Sequence, residues 1–174
     1  MRKRSNIKGQ RGQSMVETAL MFPILLVLFA GMIEIVFIAR SYLVILDASY
    51  QGSHLGSQGP GLYDNNEIYT LTQQDLGPKF NDSHLIDVII TRANLNGGTS
   101  LTITEVKNMK GSGRASILTP AILSSRLRAG DLSGRLIAVE LVYDHPLLFD
   151  FPIIWGIFPN PFPLVAYTIQ YVAR

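Results

Sequence analysis

The sequence predicts an α+β protein: a long N-terminal transmembrane helix acting as a stalk, then a small extracytoplasmic antiparallel β-sheet head with a short helix. Three observations carry that prediction. Residues 18–39 form an apolar stretch of 22 residues whose only ionisable member is Glu34. Residues 85–92 and 99–107 are β-branched runs separated by Asn94-Leu95-Asn96-Gly97-Gly98, a strong turn signal. Residues 136–143 and 164–173 add two more strand-like runs. The first alternates Ile137, Val139, Leu141 and Tyr143 with Leu136, Ala138, Glu140 and Val142, so one face is strongly apolar. At 174 residues the chain has room for one modest domain and an appendage.

As a helix rising ~1.5 Å per residue, the apolar stretch covers roughly 33 Å, which matches a hydrocarbon core of about 30 Å. A cleaved secretory signal has an apolar core of about 7–15 residues and ends in a small-x-small site. Here the run is longer, and the small pair at its end, Ala39 and Ser41, encloses Arg40. The formal net charge is only +2, but its distribution is uneven. The first twelve residues hold five bases (Arg2, Lys3, Arg4, Lys8, Arg11) and no acid, which leaves ten bases against thirteen acids in the rest. The positive-inside rule therefore places residues 1–12 in the cytoplasm and the body outside, in a single pass of the membrane. A short basic head on a mildly acidic body is not the basic folded face that nucleic-acid binding requires.

Two residues inside the span need a reason. A carboxylate at mid-membrane costs about 2.5–3.5 kcal/mol, so Glu34, five residues from the end of the run, either snorkels to the headgroups or pairs with another protein's helix. Pro23 removes a backbone hydrogen bond one turn into the run and predicts a kink. Just ahead of the span, Arg11-Gly12-Gln13-Ser14-Met15-Val16-Glu17 is the most informative stretch. Gly12 leaves the backbone free to extend in a protease at the membrane surface. A new amino group at Gln13 would put positive charge at a helix start, where the macrodipole disfavours it. Glu17, at i+4, can neutralise that charge on its own chain or on a packed neighbour. The plain alternative makes Glu17 the last interfacial charge before lipid.

Residues 12–49 closely resemble the amino-terminal region of TadE-like proteins, the minor pilins or pseudopilins of the Tad (Flp) branch of type IV pilus systems, and the strand, proline-rich apolar segment and closing strand over 136–173 look like the carboxy-terminal half of that family. The matching elements are the Gly12-Gln13 junction, Glu17 five residues after the glycine, Pro23 six residues further on, and Ile33-Glu34 near the outer end of the span. Thr18 departs from the aromatic that commonly follows the family's glutamate. The resemblance implies cleavage between Gly12 and Gln13 by a membrane-embedded prepilin peptidase. It also implies other minor pilins, a major pilin and an inner-membrane assembly platform as partners, in a pilus serving adhesion or secretion.

The rest of the chain divides by composition. Residues 1–12 read as a leader removed by cleavage, and 13–55 as a long helix that stops near Ser53, broken by Gly52, Gly56, Gly59, Pro60 and Gly61. Residues 56–84 read as a polar loop with one short helical turn near 72–76, and 85–174 as the β-rich domain. Thr119 and Pro120 read as the N-cap and first residue of a short helix that Gly130 stops. This helix and the outer part of the long helix are the available covers for the sheet. Between the last two strands, 144–163 carries five prolines together with Phe149, Phe151, Trp155, Phe158 and Phe162. So apolar a connection reads either as a flap completing a small core or as a patch for a partner subunit or the outer leaflet.

No catalytic residue, metal site or cofactor is expected. The absence of cysteine excludes disulfides, thiolate metal sites and a cysteine nucleophile. His54, His84 and His145 lack metal-binding spacing, and no serine stands in a nucleophile elbow. Gly111-Ser112-Gly113-Arg114 has the composition of an anion-binding nest but lacks the strand-to-helix setting of a phosphate loop. Three readings follow. The first is a non-enzymatic, membrane-anchored minor pilin. The second is an uncleaved single-pass anchor presenting a β-rich ligand-binding module. The third is an enzyme whose residues converge only in three dimensions.

Overall fold

Among the described residues, a helix of 51 residues precedes a four-stranded antiparallel sheet accompanied by two shorter helices. The computed structural model describes residues 7–59, 61–78, 80, 84–96, 100–125, 133–149 and 159–172. In chain order the elements are α1 (Ile7–Ser57), α2 (Asn65–Leu76), β1 (Leu85–Asn96), β2 (Ser100–Asn108), α3 (Pro120–Ser125), β3 (Ser133–His145) and β4 (Phe162–Tyr171). The α+β class with a long leading helix is thus the observed one. Two compact units are distinguished, Met1–Ile38 and Ala39–Arg174.

The first unit is the amino-terminal part of α1. Its helix runs through Pro23, which lacks an N–H to donate. Large apolar side chains are exposed in close succession: Met15, Leu20, Met21, Phe22, Leu28, Phe29, Ile35 and Val36. A helix apolar all round suits lipid or a bundle of other helices.

In the second unit the strands lie in the order β2-β1-β3-β4, and each adjacent pair is antiparallel. β1 and β3 form the centre, and β3 is buried on both faces from Leu136 to Tyr143. The sequence indicated one apolar face; two are covered. On one face Ala93, Leu95, Leu136 and Ala138 form a core cluster with Leu118 and with Leu123 of α3. On the other, Ile137 and Val139 meet the outer stretch of α1.

That stretch of α1 buries Ser41, Ile45, Ala48, Ser49, Gly52, Ser53, Gly56 and Ser57, a stripe at three- and four-residue spacing. Ser41 Oγ lies 3.1 Å from His145 Nδ1, and Ser49 Oγ donates to the Val139 carbonyl at 2.6 Å. The helix therefore advances from Ser41 to Gly56 as β3 is followed backwards from His145 to Ile137. By rise per residue that is ~22 Å of helix against ~26 Å of strand, so the two run antiparallel and nearly collinear.

Gly52 and Gly56 lie inside α1, which ends at Ser57, a turn past the stop near Ser53 that these glycines suggested. The reason is close approach. A Cβ at Gly52 would lie 2.4 Å from Thr72 Oγ1, and one at Gly56 would lie 2.2 Å from Ile137 Cδ1 and 3.0 Å from Ile68 Cδ1. Hydrogen in place of a methyl lets the helix settle onto β3 and α2, and that packing outweighs the ~1 kcal/mol helix cost of glycine.

The segment read as a polar loop contains α2, twelve residues long. Its start is a capping box: Asp64 Oδ1 accepts from the Glu67 N–H at 2.7 Å, and Glu67 Oε2 accepts from the Asp64 N–H at 2.8 Å. Ile68, Thr72 and Leu76, at i+4 steps, form its buried stripe. β1 extends to Asn96, so Asn94-Leu95-Asn96 is strand rather than turn, and residues 97–99 lie outside the described residues. At α3, Thr119 Oγ1 accepts from the Ile122 N–H at 3.3 Å and caps the helix; Gly130 lies outside the described residues.

Candidate functional site

The residues singled out ahead of the span sit on the first turns of α1. Since α1 begins at Ile7, the Gly12-Gln13 junction is helical, not extended. Gln13 Nε2 and Glu17 Oε1 are 3.5 Å apart, and Thr18 Oγ1 donates to the Ser14 carbonyl at 2.9 Å. Glu17 thus reaches back one turn to the position where a new amino group would arise. Both side chains are exposed, as are Met15 and Val16 beside them. Glu34 differs from its neighbours: it is buried, 8% exposed, while Ile33 and Ile35 are 44% and 59% exposed. Residues Gln13–Ser57 make one helix long and apolar enough, by length and composition, to cross a membrane.

Of the aromatic residues between the last strands, Phe149 and Phe162 are half-buried; Phe151, Trp155 and Phe158 lie outside the described residues. The three histidines each pack beside a tyrosine. His54 stacks on Tyr50 with ring centroids 6.1 Å apart, and His84 and His145 each lie 6.4 Å from the Tyr143 ring. Among the described residues no three His, Asp or Glu side chains converge as a metal site.

Two carboxylates that the motif reading passed over occupy the α3 side of the sheet. Asp87 is fully buried, and its carboxylate accepts from the N–H groups of Val88 (2.8 Å), Lys110 (3.0 Å) and Ser112 (3.2 Å) and from the Ser112 hydroxyl. The Gly111-Ser112-Gly113 nest therefore exists, with Gly111 and Gly113 both at φ +70°, and it is filled by the protein's own aspartate. Glu140, 1% exposed, accepts from the Ser116 hydroxyl at 2.8 Å and the Ile117 N–H at 3.2 Å. Burial raises the Asp87 carboxyl, but the Ser112 hydroxyl and the three N–H groups together outweigh it and leave it below its ordinary value. At Glu140 burial prevails over Ser116, Ile117 and the attraction of Arg114, and the carboxyl is pushed up. The available signal was a lone acid within each apolar run, Leu-Ile-Asp-Val-Ile-Ile and Ala-Val-Glu-Leu-Val. Together the two acids fasten the chain that crosses from β2 to α3.

Comparison with known proteins gives one family. Residues 12–54 match the model described as TadE-like protein, a stretch that starts at the Gly12-Gln13 junction and includes Glu17, Pro23, Glu34 and most of the small-residue stripe. No curated protein and no solved structure gives a significant match.

Proposed function

We propose that this protein, TadE-like along its amino-terminal helix, is a membrane-anchored minor pilin or pseudopilin that takes part in assembling a Tad pilus. One observation carries the reading: the family match coincides with a helix whose apolar side chains face outward from the chain. The match supports a Tad pilus-associated membrane protein, and the outward apolar surface supplies what lipid or neighbouring pilin helices need. In this reading residues 1–12 lie in the cytoplasm, a prepilin peptidase cuts after Gly12, and the head on the outer side selects its partners. Glu17 then compensates a terminal charge once helices associate in a low-dielectric bundle. The protein acts by assembly with other minor pilins, the major pilin and the inner-membrane platform, not by catalysis.

The helical backbone at Gly12-Gln13 favours a second reading, an uncleaved anchor presenting a binding module, because a protease needs that turn unwound. Intact-mass measurement of membrane-extracted protein separates the two. Loss of residues 1–12 is expected for the pilin, and full retention of Arg2 to Gly12 overturns its processing. Glu17→Ala is expected to leave insertion intact and impair pilus assembly; assembly at the parent level removes the charge-pairing role.

A further inference from the structure

The chain between β2 and α3, residues 109–119, crosses the sheet as a strap with two fastenings. At one end the Lys110 and Ser112 N–H groups and the Ser112 hydroxyl close on Asp87 of β1. At the other, the Ser116 hydroxyl and Ile117 N–H close on Glu140 of β3. Leu118 follows directly and enters the core cluster, as does Leu123 of α3. Holding the strap therefore holds the cover on that face. Asn108 Nδ2, donating to the Arg114 carbonyl at 2.6 Å, steadies its middle.

The two fastenings differ in their donors. Asp87 receives three N–H groups and a hydroxyl, four donors that together favour its charged form. Glu140 meets one N–H and one hydroxyl. Both meet Oε2, and a serine hydroxyl both donates and accepts, so a protonated Oε2 donates to Ser116 Oγ while Oε1, 3.4 Å from the Ile117 nitrogen, accepts that N–H. Ionised Glu140 bears the cost of a buried charge and forms no ion pair within 4 Å among the described residues. The groups that act on it electrostatically are Arg114 of the strap and Asp87 of β1, and Tyr167 of β4 is its cross-strand partner. Tyr69 of α2 in turn feels Asp87.

We propose that the 109–119 strap is a pH-graded clamp that tightens on mild acidification, because protonation of Glu140 favours its closed form. The sign follows from linkage. Glu140 is pushed up in the closed form, so its contribution is complete below its ordinary value and is lost as pH rises through the raised one. Asp87 is held down, so its contribution is present above its ordinary value and is lost as pH falls through the lowered one. The clamp is tightest in the window between, and loosens toward neutral and alkaline pH through Glu140.

Amide hydrogen exchange on the full chain in lipid nanodiscs tests this, with rates corrected for the intrinsic pH dependence of exchange. Protection of peptides covering 109–119 is expected to fall severalfold from about pH 4.5, at the ordinary glutamate range, to about pH 8, while peptides of central β3 stay constant. Glu140→Gln, a neutral isostere, is expected to hold high protection with no slope across that range. Asp87→Asn is expected to lower protection throughout and to retain the Glu140 slope. Constant or rising protection in the parent overturns the proposal. So does an unchanged slope in Glu140→Gln, or failure of that variant to fold, since the neutral form is the favoured one.

Discussion

Replacing Gly56 by leucine tests the packing of α1 on β3, because two physical accounts of this glycine give opposite signs. If it marks a weak point in the helix, a larger residue with better helix propensity stabilises by about 1 kcal/mol. In the structure even a methyl at this position falls 2.2 Å from Ile137 Cδ1 and 3.0 Å from Ile68 Cδ1, and both isoleucines are fully buried. Ile137 can yield a little by rotating its terminal methyl, so Gly56→Ala has overpacking of about 1–3 kcal/mol set against that propensity gain. Leucine brings three further carbons into the same space. Its overpacking reaches about 3 kcal/mol, which leaves a net loss of about 2 kcal/mol. For a chain of this size that corresponds to a melting point lower by roughly 4–8 °C. The measurement is thermal unfolding of the full chain in detergent, followed by near-UV circular dichroism of the tyrosines. Gly31→Leu is the control, since nothing lies within 4 Å of a Cβ there, and it is expected to leave the transition in place. A Gly56→Leu protein melting within about 1 °C of the parent refutes the close approach.

Two smaller perturbations bear on the same unit. Ser49→Ala removes the buried donor to the Val139 carbonyl and is expected to destabilise by about 1 kcal/mol, read as a lower urea midpoint at unchanged slope. Asp64→Ala removes the N-cap of α2 and is expected to cost about 1 kcal/mol, seen as faster amide exchange over residues 65–76, whereas Asp64→Asn largely preserves protection.

The long helix and the strands were legible because each is written in local chemistry. The helix shows as twenty-two residues without a charge except Glu34, and the strands as β-branched runs bounded by turn residues. What was misread depends on partners distant in sequence. Gly52 and Gly56 have the composition of a helix stop, and only the presence of Thr72, Ile68 and Ile137 against them turns them into contact points. Only the last turn of α2, near 72–76, is expected from the sequence although Asp64 and Glu67 stand at capping-box spacing, because its surroundings are polar and its buried stripe is three residues wide. Glu140 is the lone charged residue on the second side of an alternating strand. That side is covered by a strap from the far side of β1, and no local pattern announces such a crossing. The family match begins at Gly12, but the spacing that singles out Gly12-Gln13 and Glu17 did not announce the backbone there, which is helical instead of extended.

The collinear, antiparallel course of α1 and β3 has a mechanical consequence. Tension applied along the outer stretch of α1 runs parallel to a strand that is itself laced to neighbours on both sides. The bond from Ser49 to Val139 and the glycine contacts at positions 52 and 56 then bear the load together, by sliding, instead of being peeled apart one after another. A chain drawn by this helix is thereby gripped in shear instead of being peeled.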